Sequence, residues 1–411
     1  MHMGQFAVEE RKDWRWWVTP KPLADKPIHR WYVFPHSFTS ELVHALIDEW
    51  GLTSSDHILD PFAGAGTTLL AAKERGIPAT GYDLSPLAVL TGRVKIADYR
   101  EARLRDLWSV LCRRINPSRW NGASRDYPTL VAAALPGKLL GAFDAMDRAI
   151  GELDASDEER DFFRLALLSR IPKHSRAVAD GGWLSWVQRR TPVTRLLPDF
   201  KGQVDLMLED VGSARARPMG RWRAREADAR VLPDARATYS AVITSPPYPN
   251  RHDYTRVFGV ELMFGFLDWE QTRQLRYQSF HSHPESHPER PPADGYTPPP
   301  RLASAVSRIR KQERDSRVST MLDGYFLDLY LVLREIQRVC KRKAQVAFVV
   351  GNAQYQGVPI IVDELTAEVG EQAGLKCEKL LIARYRGNSA QQMGKHGRNP
   401  SRESVVVFRR P

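Results

Sequence analysis

The chain has 411 residues, 42% of them hydrophobic, enough to bury a sizeable core, and its 60 Lys plus Arg against 49 Asp plus Glu leave a formal charge of +11. A basic balance of this size suits a protein that meets a polyanion. Cys112, Cys340 and Cys377 frame neither a zinc site nor a disulfide scaffold, and no run has the length of a membrane span or the layout of a signal peptide, so secreted and membrane classes are set aside and a cytoplasmic protein with reduced thiols is expected.

Residues 1–50 begin polar and aromatic (Trp14, Trp16, Trp17, Trp31, Tyr32) and pass through Ser37-Phe38-Thr39-Ser40 into LVHALIDEW. A Ser or Thr cap ahead of Leu42, Leu46 and Ile47 predicts an amphipathic helix. A short strand at 57–59 then meets Asp60-Pro61-Phe62-Ala63-Gly64-Ala65-Gly66-Thr67-Thr68 and the helical LLAAKERG. Strand, glycine turn and helix in this order open a dinucleotide-type fold. The next strand, 79–83, ends on Asp83, about 20 residues beyond the turn, where such folds hold a ribose-binding carboxylate.

Residues 88–220 carry Leu and Ala at helical spacing and predict a helical insertion. Within it Trp183 and Trp186, next to Arg189 and Arg190, suit core packing or, alternatively, stacking on a base. A strand at 239–243 leads into Thr244-Ser245-Pro246-Pro247-Tyr248, with Asp228 in a turn upstream. Residues 270–320, rich in Pro, His and Arg, predict a mobile loop, and His281, His283 and His287 there lack the neighbours of a metal site. From Met321 the pattern is helix 322–340, strand 345–352, helix 361–374, strand 378–386 and strand 404–410. The whole reads as α/β: a doubly wound, seven-stranded Rossmann-like sheet with helices on both faces and a helical insertion, divided at 1–87, 88–220 and 221–411.

The segment DPFAGAGTT (60–68) resembles the cofactor motif of amino-directed DNA methyltransferases, and Thr244 to Tyr248 is similar to their catalytic motif, whose variable residue is Asp, Asn or Ser. FPHSFTSELV and the tail GRNPSRESVVVFRR are similar to the same family. The resemblance implies S-adenosylmethionine as cofactor, with Asp60 on its amino group, Phe62, Gly64, Gly66 and Thr67 in the same turn, Asp83 on the ribose, Asp228 on the adenine, and Phe38 or Ser37 at its carboxylate end. Asp228 equally reads as an exposed turn carboxylate.

The resemblance further implies that Ser245 and the Pro246 carbonyl accept hydrogens of an exocyclic amino group, that Pro246 and Pro247 hold this backbone rigid, and that Tyr248 stacks on a base swung out of double-stranded DNA. The serine form is typical of cytosine-N4 enzymes and occurs in some adenine-N6 enzymes, so cytosine-N4 methylation is expected, with adenine-N6 as the alternative. An RNA amino-methyltransferase and a non-catalytic DNA-binding subunit are further readings. No cysteine stands in the catalytic turn, against the covalent route of carbon-5 methylation. Arg251 and the run Arg308, Arg310, Lys311 and Arg314 suit phosphate contacts, a solvated helix face being the alternative. Target recognition is expected in 88–220 or 270–320, and family analogy implies a restriction endonuclease or another defence-system partner.

Overall fold

The computed structural model describes residues 6–188, 192–213, 221–314, 316–386 and 401–411. The strands of its main sheet are β1 (Val8–Glu10), β2 (Ile58–Asp60), β3 (Ala79–Asp83), β4 (Trp222–Glu226), β5 (Tyr239–Thr244), β6 (Cys340–Gly351), β7 (Lys376–Arg386) and β8 (Ser401–Arg409). The helices laid on it are α1 (Ser40–Trp50), α2 (Thr67–Glu74), α3 (Pro86–Ile96), α4 (Pro300–Arg310), α5 (Arg317–Val339) and α6 (Val362–Gln372).

The strand order is β1-β7-β8-β6-β5-β2-β3-β4. Only β8 runs antiparallel to its neighbours; every other pair is parallel. This is the expected α/β doubly wound sheet with one strand added, β1, on its edge. From β2 the chain winds one way to β3 and β4 and then the other way to β5 and β6. The crevice at that reversal, outside the carboxyl ends of β2 and β5, is where such sheets bind ligands. Strand β4 had no periodic signal, because WRARE buries only Ala224 and leaves its charges in water at the sheet edge.

Alternation in β6 shows how both faces are filled. Val346, Phe348 and Val350 enter the core beneath α5 and α6, while Ala347 and Val349 enter the core shared with α1 and α2. Gly66 begins α2 at φ +78°, and a Cβ there would lie 2.9 Å from the Cα of Gly92. Helices α2 and α3 therefore meet backbone to backbone, a contact that only glycine permits.

Residues 97–213 form the insertion between β3 and β4, with its own core around Phe143, Phe162, Phe163 and Phe200. It is mainly helical but contains an antiparallel ribbon, Ala177–Asp180 with Trp183–Trp186. Its core reaches the N-terminal arm, where Tyr32 Oη donates to Glu261 (2.9 Å) and Lys95 Nζ donates to the Tyr32 carbonyl (2.7 Å). Burial raises the Glu261 carboxyl to about 7 and lowers the Lys95 ammonium to about 7.

A raised carboxyl pKa means that Glu261 adds stability below its ordinary 4.5 and that this contribution is lost as pH rises to about 7; Lys95 changes only between about 7 and 10.5. Melting temperature should therefore fall across the lower window, and Glu261→Gln should flatten part of that fall. Asp60, raised to about 6, supplies more slope of the same sign. An unchanged slope in Glu261→Gln, read by calorimetry at several pH values, would refute burial of this carboxyl as its cause.

Residues 270–320 differ from the loose loop expected. Helix Trp269–Gln278 precedes it, α4 closes it, and in the irregular stretch between them Phe280, His281, Ser282, His283 and Ser286 are buried. The His281 ring occupies space on α5 that any Cβ at position 324 would fill, so Gly324 admits it. Its backbone N–H donates to Asp328 (2.9 Å), and Arg290 pairs with the same carboxylate (2.6 Å). These bonds offset the cost of burying a polar segment. No helix among the described residues is long and apolar enough to cross a membrane.

Candidate active site

The crevice holds a cleft with about 930 Å³ of open space, its mouth included, within the range of small-molecule sites. Phe62, Gly64, Asp83, Asp228, Ser245 and Pro247 all line it. Asp83 stands at the end of β3, where its two carboxylate oxygens accept from the backbone N–H groups of Gly64 and Ser85, each at 2.9 Å. The carboxylate thus braces the glycine turn while facing the cleft, and burial raises its pKa. Asp228 accepts a two-pronged ion pair from Arg230, which also pairs with Asp328 at 3.2 Å. Its position on the cleft wall is therefore fixed by a buried guanidinium rather than left to solvent.

Four residues expected at the cofactor lie elsewhere. Asp60 is buried between strands, where Oδ1 accepts from the Thr244 hydroxyl (2.6 Å) and the Phe62 N–H (3.1 Å), and burial raises its carboxyl to about 6. It fastens the end of β5 to the end of β2 and so sets Ser245 beside the glycine turn. Phe38, just ahead of the α1 cap, is packed in the core with Val43, as apolar residues in that position commonly are. Phe34 and His36, which sequence reasoning missed, take its place on the wall. Gly66 serves helix packing, and Thr67 hydrogen-bonds Ser37 (3.2 Å) behind the turn.

A second, more polar chamber opens on the far side of Ser245, lined by Pro246, Tyr248, Tyr254, Arg384, Arg386 and Glu403 among others. Ser245 and Tyr254 belong to the walls of both spaces. The Ser245 hydroxyl donates its one proton to the Val349 carbonyl (3.1 Å), so its lone pairs stay free to accept. Burial, and next the charge of Glu403, raise the Tyr248 phenol, which keeps it neutral. Glu403 is buried and paired with both Arg384 and Arg386. These three were missed as well. Arg384 and Arg386 alternate with Tyr385 along β7, which is a readable sign of one polar face, but their partner on β8 follows only from the sheet register Arg384↔Glu403.

Arg251 is exposed just beyond the turn, at φ +66°. Arg308, Arg310, Lys311 and Arg314 are exposed beside or on α4, whose other face buries Leu302, Val306 and Ile309. None of them reaches the cleft, and Arg310 pairs with Asp323 (3.1 Å). Helix α4 does pack on the hairpin Ala353–Ile360, whose Tyr355 Oη donates to the Pro249 carbonyl (2.5 Å) next to the Ser-Pro-Pro-Tyr turn. Arg189, Arg190 and the 387–400 part of the tail lie outside the described residues. None of the three cysteines lines either space.

The first cleft suits S-adenosylmethionine by its donor and acceptor chemistry. Asp83 and Asp228 offer carboxylates to a ribose diol, an amino group and a nearby positive charge, and Phe34, Phe62 and Leu84 offer apolar surface to a purine.

Comparison with known proteins agrees with this geometry. A family model described as DNA methylase, for N6- and N4-directed enzymes, matches residues 8–91, which contain the glycine turn and Asp83. Type II methyltransferase M.BsoBI of Geobacillus stearothermophilus is 29% identical over 94% of this chain and 86% of its own. Type II methyltransferase M.AvaI of Anabaena variabilis is 28% identical over 94% and 87%. Among solved structures, TrmN from Thermus thermophilus aligns over 90% of this chain and 49% of its own at 11% identity and a TM-score of 0.28. A putative sarcosine dimethylglycine methyltransferase from Galdieria sulphuraria aligns over 90% and 84% at 8% identity and a TM-score of 0.30, and likenesses this slight add nothing to what the strand order says. With the family model spanning the glycine turn and Asp83 and two relatives following the chain through the rest of the sheet, the protein is similar to amino-directed DNA methyltransferases.

Proposed function

We propose that this S-adenosylmethionine-dependent DNA methyltransferase modifies the N4 amino group of a cytosine extruded from double-stranded DNA. The observation that carries the reading is the place of Ser245 in the wall shared by the two spaces, with methyl donor on one side and target base on the other. When bound, the cofactor supplies an electrophilic methyl group. Asp83 and Asp228 hold its adenosine part, and Asp60 acts one step back by fixing Thr244.

An aromatic amino group is a weak nucleophile because its lone pair is delocalised into the ring. Ser245 Oγ, its proton already committed to Val349, accepts one amino hydrogen, and the Pro246 carbonyl accepts the other. Both acceptors sit on a backbone stiffened by two prolines, so the nitrogen is held in one orientation. Tyr248 and Tyr254 supply aromatic surface for the base.

Two features favour cytosine over adenine. One is Ser245 itself, by family resemblance. The other is chemical: on its Watson–Crick edge cytosine carries two acceptors beyond the amino group, N3 and O2, whereas that edge of adenine carries only N1. The guanidinium groups of Arg384 and Arg386, held by Glu403, offer donors that match the cytosine edge. A nucleoside digest of DNA from a host expressing the protein, read by mass spectrometry, tests this, with N4-methylcytosine as the expected product. N6-methyladenine alone would overturn the base assignment, and methylation confined to RNA would overturn the substrate. Helix α4 and Arg251 supply phosphate contacts in this reading. The type II names of the relatives support a restriction endonuclease of the same site as a partner.

A further inference from the structure

The ribbon Ala177–Trp186 in the insertion is closed by Gly181-Gly182, a two-residue turn between paired Asp180 and Trp183. It is backed onto the active site. A Cβ at Gly182 would stand 2.8 Å from the Arg251 carbonyl oxygen and 3.0 Å from the Cα of His252, so the ribbon's turn touches the backbone just after Tyr248. The Arg256 guanidinium lies 4.2 Å over the Trp183 ring. His252 in turn packs edge-on against His36 (4.2 Å) and Tyr254 (4.8 Å), both of which line the chamber beyond Ser245.

The ribbon is unlike ordinary surface. Trp183 is 52% exposed and Trp186 58%, with Arg176 and Arg251 exposed nearby. Core packing, the simpler reading of these tryptophans from sequence, is therefore wrong. Leaving two large aromatic rings in water forgoes their burial, and the pattern of an apolar surface with basic neighbours marks an interaction site for a polyanion. Strand alternation turns Trp183 and Trp186 to opposite faces. A two-stranded ribbon is narrow enough for the major groove of B-DNA, where both its faces meet groove walls.

We propose that the ribbon Ala177–Trp186 is the element of the insertion that enters a groove of the DNA duplex beside the extruded base, with Trp183 and Trp186 packed on bases or sugars and Arg176 and Arg251 on flanking phosphates. The inference rests on the DNA methyltransferase reading and assigns that substrate its docking surface. Because the Gly182 contact couples the ribbon to the backbone next to the catalytic turn, seating in the groove also aligns the chamber with the base.

The test is transfer of labelled methyl groups to plasmid DNA from a host that lacks DNA methylation. The full-length protein is compared with Trp183→Ala/Trp186→Ala and Trp183→Phe/Trp186→Phe, and cofactor affinity is measured by calorimetry. Stacking losses of this kind raise KM for DNA about tenfold or more in the alanine pair, with kcat less affected. Cofactor affinity should be unchanged, and the phenylalanine pair should stay within about threefold of wild type because it keeps an aromatic face. Wild-type KM for DNA in the alanine pair overturns the proposal, as does a parallel loss of cofactor affinity, which would make the ribbon a prop of the fold. A wild-type protein that methylates RNA and not the plasmid overturns the DNA reading itself, and this inference with it.

Discussion

Ser245→Ala should lower kcat for methyl transfer by about 100-fold or more while leaving cofactor affinity near wild type, the size of loss seen when one preorganised polar partner of a transition state is removed. The hydroxyl has a single proton, and it already goes to the Val349 carbonyl. What the cleft wall loses in the variant is thus an acceptor, the one proposed for the amino group, on a backbone that two prolines keep rigid. Ser245→Asn restores an acceptor at the same backbone position and should recover part of the rate. Single-turnover transfer with calorimetric cofactor binding separates the two effects. A kcat within threefold of wild type in Ser245→Ala would sink the mechanism, since no other side chain at the junction of the two spaces is proposed for that bond.

The second large effect is on the cofactor. Asp83→Ala should weaken S-adenosylmethionine binding by about 100-fold or more, as expected when a charged acceptor of two hydrogen bonds is removed from a cleft. The variant loses the brace, because the same carboxylate holds the Gly64 and Ser85 N–H groups in place, and with it the proposed diol acceptor. Burial raises the Asp83 carboxyl, so its protonation, which removes the acceptor, begins at higher pH than for an exposed aspartate. Cofactor affinity of the wild type should therefore fall on acidification, and Asp83→Asn, with no proton to gain, should lose that dependence. Calorimetric titrations across pH check both points, and an unchanged Kd in Asp83→Ala would remove Asp83 from the site.

The contrast between Asp83 and Asp60 shows where sequence reasoning stops. Both are strand-ending aspartates, one in the glycine motif and one about 20 residues beyond it. The first is turned between β2 and β5 onto Thr244 and the second faces the cleft. Pattern alone treats them alike, because which way a buried carboxylate points depends on what the neighbouring strand offers it. Trp183 and Trp186 make the same point: a tryptophan in an apolar insertion reads as core, and only the ribbon's position on the outside of Arg251 and His252 exposes them.

Local backbone chemistry is legible in neighbouring residues: the glycine turn with its positive φ, the rigid Ser-Pro-Pro-Tyr at a strand end, and the apolar run that makes β6 a strand buried on both faces. These follow from residues within a few positions of one another, where conformational preference acts directly. Contacts between distant parts of the chain send Phe38 to the core and Phe34 to the cleft, bring Glu403 to Arg384 and Arg386, and let Arg230 fix Asp228. Each depends on strand register or on burial against residues far away in the chain, and a shift of one position in the β7–β8 register would turn Glu403 away from Arg384 and Arg386.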